Sequence, residues 1–455
     1  MLIAWASMLL AQLLLLPPIP AYAEAMHGPT QPETSNASGR DEEAEHKAAP
    51  KELIEDQASA EEHALKSLPV KSDYTVIPLP AFSYNRNERY WVGALAPILK
   101  GNSKGNIEDI WAPQYLFNPL VGHTGNLSYF SYPSDNEQYH ATVWYSQKIN
   151  EGVELGYKNV AAGGGRYVVA ADFTAFKNPF ARFFGFGNGT PESAETNFTS
   201  RELGTKLTVG INLTPDVSVM FTERLRLVRV DDGVVTSLPP TKQTFPNIPG
   251  IQGAQVLGHG LTLRYDTRNN QLIPTRGTYV NVLAEFNQNL QPNEENQWGH
   301  VNIDARHLVP HASDRMVFVS RVMFNGVVGQ IENPATSLGV PFFEQSTLGG
   351  EDTLRAFGRN RYIDYYAVLA NLEERITVVE RRVFGHEIQL ELAPFLDMGR
   401  VGPSSVKFVD LFFRNVQLNP GSGIRLLAKP NVVGRLDVAY GRDGANVFVG
   451  IDYPF

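Results

Sequence analysis

The sequence predicts an all-β chain that closes into a 16-stranded antiparallel transmembrane β-barrel with a long sixth extracellular loop. Three observations carry that expectation. Apolar residues keep one parity over segments of about 9–13 residues, close to the roughly 9–11 that a tilted membrane strand needs. Long connections alternate with short ones. The chain also opens on an export-type leader. A mean hydropathy below zero does not count against a membrane barrel, because its strands dilute apolar residues with polar ones. With 39 Gly, 30 Pro and only 19% charged residues, the composition fits a turn-rich β chain.

Several classes fall away at once. No cysteine means no disulfide scaffold, thiolate metal site, Cys nucleophile or lipidated N-terminus. A net charge of −9 argues against a nucleic-acid partner. After residue 23 no apolar run approaches the roughly 18 residues of a spanning helix.

Residues 1–23 read as a secretory signal peptide. Leu2 to Leu16 is almost wholly apolar, Pro17, Pro18 and Pro20 end any helix, and Ala21-Tyr22-Ala23 has the A-x-A cleavage form. The run is too short and too proline-punctuated for an anchor. Residues 24–73 are acidic, with Asp41-Glu42-Glu43, Glu52, Glu55, Asp56, Glu61 and Glu62 and few large apolar side chains. They read as a disordered or partly helical periplasmic tail, with a helix open to Lys51–Ser67.

Residues 74–455 read as the barrel. Leu207, Val209, Ile211 and Leu213 alternate with Lys206, Thr208, Gly210 and Asn212, and Leu261, Leu263 and Tyr265 with Thr262, Arg264 and Asp266. Val280, Val282, Ala284 and Phe286 continue the pattern, as do Leu390, Leu392 and Leu396, then Leu436, Val438 and Tyr440. Strands are expected within 77–99 and 111–132, then at 138–149, 151–161, 165–177, 201–213, 216–229 and 257–269. Further strands are expected at 276–288, 297–308, 315–329, 363–377, 387–398, 421–428, 431–441 and 444–454. Short joins such as Thr214-Pro215, Asn270 to Thr275 and Val309 to Asp314 alternate with long ones at 178–200, 230–256, 330–362 and 399–420. One-sided long loops are the barrel pattern. Gly163-Gly164-Gly165 lacks the following helix of a phosphate loop and reads as a hairpin turn.

In the last strand Val447, Val449, Ile451, Tyr453 and Phe455 share one parity. This looks like the C-terminal strand signal that assembly machinery reads in bacterial outer-membrane proteins. In loop 330–362, Leu348-Gly349-Gly350-Glu351-Asp352-Thr353-Leu354-Arg355-Ala356-Phe357-Gly358 carries an Arg followed two residues later by an aromatic. Phe395-Leu396-Asp397-Met398-Gly399 follows on the next-but-one strand, and Asp266-Thr267-Arg268 with Pro274-Thr275-Arg276-Gly277 precedes both. These three elements, in this order, resemble the sixth-loop motif, the F-x-D-x-G element and the D-x-R…P-x-x-G hairpin of the BamA/TamA surface-antigen superfamily, with Ala356 in place of the usual Gly. Residues 24–73 are too short for a POTRA domain, so the chain resembles a barrel-only branch.

Parity puts Leu390, Leu392 and Leu396 on lipid and turns Phe395 and Asp397 to the lumen. A lumen carboxylate under a folded loop needs a cationic partner, and Arg355 lies in a loop long enough to supply one. The resemblance implies the same loop-to-wall contact. Glu373 and Arg375, inward by the parity of Val368, Ala370 and Leu372, are candidates to extend it.

No nucleophile elbow, H-E-x-x-H, P-loop or EF-hand pattern occurs, so neither an enzyme nor a cofactor is expected. His259, His300, His307 and His311 are spread over several strands and turns, and no metal site is expected. The resemblance implies a barrel of the bacterial outer membrane, acting in protein insertion or translocation or as a pore derived from that role. Its expected partners are outer-membrane lipids, the assembly machinery and unfolded outer-membrane or secreted client proteins. The other reading is a porin-like passive diffusion channel.

Overall fold

The computed structural model describes residues 74–101, 107–291, 296–312, 315–329, 339–383, 386–428 and 432–455. The signal peptide, the acidic tail and the short-for-POTRA reading all fall on residues 1–73, outside the described residues. From Tyr74 onward the chain forms one antiparallel sheet that closes on itself.

Among the described residues the barrel has eighteen strands, not sixteen. Strand β1 joins Tyr74–Val76 to Leu79–Asn85 across Ile77-Pro78, and β2 joins Arg89–Leu95 to Ile98–Gly101 across Ala96-Pro97. Then come β3 (Ile107–Asn118), β4 (Gly122–Ser134), β5 (Glu137–Ser146), β6 (Glu151–Ala161) and β7 (Tyr167–Phe183). The far side is β8 (Thr196–Asn212), β9 (Val217–Asp232), β10 (Ala254–Asp266), β11 (Gly277–Asn289) and β12 (Asn296–His311). The wall is completed by β13 (Met316–Gly329), β14 (Tyr366–Val383), β15 (His386–Gly402), β16 (Gln417–Ala428), β17 (Val432–Gly441) and β18 (Gly444–Ile451).

The two extra strands lie where one strand each was expected within 77–99 and 111–132. Both stretches are hairpins. At the first turn the Asn85 side chain accepts from the Glu88 N–H at 2.9 Å and Arg89 takes a φ of +69°. At the second, Asn118 accepts from the Leu120 N–H at 2.9 Å and Gly122 takes +79°. Asx turns and left-handed residues reverse a chain within a few residues. The added hairpins make loop 330–362 the seventh long-rim connection, not the sixth. Strands β7 and β8 also run on into the expected loop 178–200, pairing as far as Phe183 with Thr196.

The alternation sorts the two faces. Leu207, Val209 and Ile211 are exposed on the outer wall while Thr208 is buried inside, bonded to Thr222 at 2.9 Å. Polar and charged side chains thus form much of the interior, as in a barrel whose solvent-like face is inside.

One strand pairing departs from the rest. Neighbours such as β8 and β9 keep register from Phe198–Asp232 to Asn212–Ser218. Among the described residues, β1 and β18 meet at one register pair, Tyr84 with Val447. Continuing that register in steps of two would set Pro80 opposite Ile451 and Pro78 opposite Tyr453. Neither proline has an N–H to give, so the seam lacks donors where it should lengthen. The last strand accordingly stops at Ile451. Asp452 adopts a φ of +68° and the chain turns inward. Tyr453 and Phe455, expected on the lipid-facing parity, instead lie inside the barrel.

Candidate functional site

From residue 339 on, the connection between β13 and β14 does not stand above the rim but folds into the lumen. Ser346–Leu348 pairs antiparallel with Tyr362–Asp364, a small ribbon that brings the segment between them back on itself. Gly349 and Gly350 start the turn at φ +114° and +110°, a region that L side chains rarely adopt. A Cβ on Gly349 would also stand 2.4 Å from the Gly358 carbonyl oxygen. Leu348, Leu354, Phe357 and Tyr362 are buried against Met323, Ala367, Leu369 and Val401 of the wall.

Arg355 is set by that tip. Its backbone N–H donates to Asp397 Oδ2 at 3.1 Å, Nε to the same oxygen at 2.9 Å, and Nη2 to Oδ1 at 2.8 Å. Nη1 donates to Glu373 Oε2 at 2.8 Å. Asp397 and Glu373 come from β15 and β14, where odd spacing from the lipid-facing Leu396 and Leu372 turns them inward. The guanidinium lies 3.3 Å from the ring centre of Phe395. Burial works against the Arg355 charge, but Asp397 and Glu373 outweigh it and hold its pKa above the ordinary arginine value. A bidentate contact in a dry setting fixes orientation as well as position.

Arg375 donates to Glu373 Oε1 at 3.0 Å, so the two residues singled out by parity join the same cluster. Gly399 sits where a Cβ would come within 3.0 Å of Leu348 Cδ1 and 3.3 Å of Leu354 Cδ2; the F-x-D-x-G glycine clears space for the loop. Ala356 does not need a glycine's freedom, since its φ is negative. Its methyl group faces Gly441, where an added Cβ would stand 2.9 Å away. Its carbonyl accepts from Asn446 Nδ2 at 2.7 Å. With the Asn419 amide oriented to suit its neighbours, Asn419 accepts from the Ala356 N–H at 3.0 Å.

Other members of the cluster went unrecognised in the sequence. Arg425 reaches Glu373 at 3.3 Å and Asp437 at 2.7 Å; Arg435 reaches Asp437 at 3.2 Å. Asn371 donates to both the Thr353 carbonyl and Asp397. Arg321 clasps Asp304 at 2.9 Å and donates to the Asp352 carbonyl at 2.7 Å. Their signal was available: each is a polar residue on the inward parity of a membrane strand, where ionisable groups are costly and need partners.

The loop has two further anchors. Glu344, on its descending arm, pairs with Arg224 at 2.8 Å and Arg226 at 2.7 Å from β9. Burial raises the Glu344 pKa, but the two arginines overcome it and leave it below the usual carboxylate value. Arg361 pairs with Asp443 at 2.7 Å, tying the ascending arm to the turn before β18. Phe342 packs among Phe183, Phe198, Phe343, Val228 and Val230.

The opposite rim is occupied by the D-x-R…P-x-x-G hairpin. Arg268 folds back on Asp266 with bonds of 2.8 and 2.9 Å, and Gly277 takes a φ of +113° beside the Thr267 carbonyl. Between them the expected short join Asn270 to Thr275 crosses the lumen. Leu272 packs against the cluster of Leu99, Ile110 and Tyr132 of β2–β4. Ile273 packs with Leu427, Val433 and Tyr453. The Pro274 carbonyl accepts from Arg375 at 3.3 Å. The hairpin tip therefore touches both flanks of the β1–β18 seam. The C-terminus closes the same region: Tyr453 stacks 3.5 Å from the Arg375 guanidinium and donates to Glu391 at 2.8 Å, and Phe455 packs with Leu308, Val317 and Val319.

Together these segments fill the lumen on the β14–β18 side. On the other side a cavity of about 790 Å³ remains, lined by residues of β5–β13, including Lys206, Arg264 and Asp172, and by the loop at Glu344 to Thr347.

A family model described as the Omp85 superfamily domain matches residues 135–446. No curated protein matches the chain. Among solved structures the chain is similar to BamA from Haemophilus ducreyi lacking POTRA domains 1–3, at 13% identity over 87% of this chain and 77% of that one, with a TM-score of 0.49. It is also similar to CdiB from Acinetobacter baumannii, at 11% identity over 84% and 65% with a TM-score of 0.41. CdiB from Escherichia coli gives 11% over 85% and 62%, again at 0.41. The chain spans somewhat less than two thirds of the length of the two CdiB chains.

Proposed function

The chain belongs to the Omp85 superfamily, and on that basis we propose that it works in the bacterial outer membrane, after export on its signal peptide, to insert or translocate other proteins. It acts without a cofactor and catalyses no covalent step. Its partners are the lipids around it and unfolded outer-membrane or secreted clients, and its own insertion depends on the assembly machinery.

The observation that carries this reading is the β1–β18 seam. One register pair and a β18 that ends at Ile451 leave the two strand edges largely unpaired with each other; Pro78 and Pro80 stop β1 from sealing the gap but leave its carbonyls free to accept. Such edges are templates for an incoming strand. The Arg355 cluster serves the seam by holding the loop against β14–β17, so the wall beside the opening stays rigid while the seam itself is weak. The Leu272–Ile273 tip and the C-terminal Phe455 fill the interior behind it.

The cavity beside β5–β13 favours a second reading, a passive diffusion channel. Purified protein in liposomes separates the two. Insertion of an unfolded barrel that is faster with the protein than without it supports the first reading. Conductance without faster insertion supports the channel.

A further inference from the structure

The join between β15 and β16 carries a short helix, α1 (Phe408–Phe413), that the lumen network does not use. Its position is set from the outer wall. On β15, Leu392 and Met398 share the outward parity with Arg400, and Met398 is opposite Leu418 of β16, itself exposed. The apolar outer band therefore runs up to Met398 and Leu418 and meets its first charge at Arg400, one outward position higher. A cation there marks the height at which hydrocarbon gives way to headgroups.

Helix α1 is built on that mark. Arg400 donates to the carbonyls of Asp410 and Arg414, the latter at 2.7 Å, so it holds the last turn of the helix. Leu411 is buried over Gly402, where a Cβ would come within 3.0 Å of Leu411 Cδ2. Gly402 has the same outward parity as Arg400, so α1 packs against the outer face of β14 and β15. Opposite Leu411, Val409 and Phe413 stand four residues apart on one face, 65% and 42% exposed. Exposed Lys407 and Arg414 flank that face at its two ends, and Asp410 is the one acid on the helix.

We propose that α1 is an interfacial helix whose Val409 and Phe413 enter the outer leaflet while Lys407 and Arg414 meet its anionic headgroups. Amphipathic helices of this kind lie in the membrane plane with their apolar face ~5–10 Å into the headgroup boundary. The occupant is lipid because the helix lies on the outer face of β14 and β15, beside the apolar band of the wall and at the height Arg400 defines. The basic residues at both ends supply the matching charge. The helix thereby fixes the height of the barrel beside the Arg355 cluster, whose partner Asp397 sits on the same β15.

The chain has no cysteine, so single-cysteine variants report cleanly. Val409→Cys and Phe413→Cys, each carrying an environment-sensitive fluorophore, are placed in vesicles of phosphatidylcholine with phosphatidylglycerol, with Ser404→Cys as the solvent-exposed reference. A gel-shift assay for the folded barrel controls for assembly. The expected result is blue-shifted emission at both helix positions, loss of quenching by aqueous iodide, and quenching by a nitroxide carried near the lipid headgroup. Lys407→Glu with Arg414→Glu reverses part of the shift. Iodide quenching equal to that of Ser404→Cys, with no response to the lipid nitroxide, overturns the proposal. So does a blue shift that persists in detergent-free nanodiscs when the nitroxide lipid leaves it unquenched, because the face is then covered by protein.

Discussion

At the scale of single residues the structure rests on charges that are tolerable only as a set. Arg355, Asp397, Glu373 and Arg425 are all essentially without solvent access. Removing one partner of a buried pair leaves the other desolvated and unpaired, which costs about 3–5 kcal/mol. Arg355→Ala and Asp397→Ala should therefore lower barrel stability by similar amounts. The double variant should be no worse than either, because the second truncation removes the group the first one orphaned. Denaturant titration of the folded band on gels reads this, and additive losses would refute the pair. Glu344 gives the pH dependence. Its pKa is lower in the folded loop than its ordinary 4.5, so its ion pairs contribute fully above that value and are lost as pH falls through the folded one. A fluorophore at Thr347→Cys should keep its emission down to pH 4.5 and change only below it. A change centred near neutrality would contradict this. Glu373, Arg375 and Asp397 were legible in the sequence because parity fixes which strand residues point inward, and Arg355 because the loop motif marked it as the cation a lumen carboxylate needs. Asp437, Arg425 and Arg321 obey the same parity. They were missed because no motif marked them among the other polar lumen residues.

At the scale of elements, periodicity located every strand from β5 onward to within a few residues except where pairing lengthened it. It failed at β1–β4, where Pro78, Pro97, Pro113 and Pro119 break the apolar alternation. The hairpins there are set by Asn85, Asn118 and Gly122, which are turn residues the pattern treats as interruptions. Connections were less legible still. Their lengths could be counted, but nothing in Asn270 to Thr275 says that the segment crosses the lumen, because its apolar pair Leu272-Ile273 finds partners far away in sequence. Burying such side chains is worth roughly 1.5–3 kcal/mol each. The hairpin therefore braces the two flanks of the seam. Leu272→Asn with Ile273→Asn should leave the barrel folded and raise its conductance in planar bilayers. Unchanged conductance would show that the tip closes nothing.

At the scale of the molecule the sequence reading of a closed antiparallel barrel holds, with eighteen strands in place of sixteen. Its interior is unevenly filled. The loop, the hairpin and the C-terminal residues crowd the half of the lumen behind the β1–β18 seam, while the other half keeps a cavity. The C-terminal residues illustrate why the alternation alone misplaced them. Tyr453 and Phe455 continue the lipid-facing parity, yet Pro78 and Pro80 deny them a partner strand. The side chains then gain more by stacking on Arg375 and packing with Val317 and Val319. The short pairing of β1 with β18 leaves both edges of the seam open to another strand. Tyr84→Cys with Val447→Cys places a disulfide across the one register pair, in a chain with no other cysteine. The oxidised protein in liposomes should no longer speed the insertion of an unfolded barrel, and reduction should restore the acceleration. Equal acceleration by the oxidised and reduced forms would contradict an open seam.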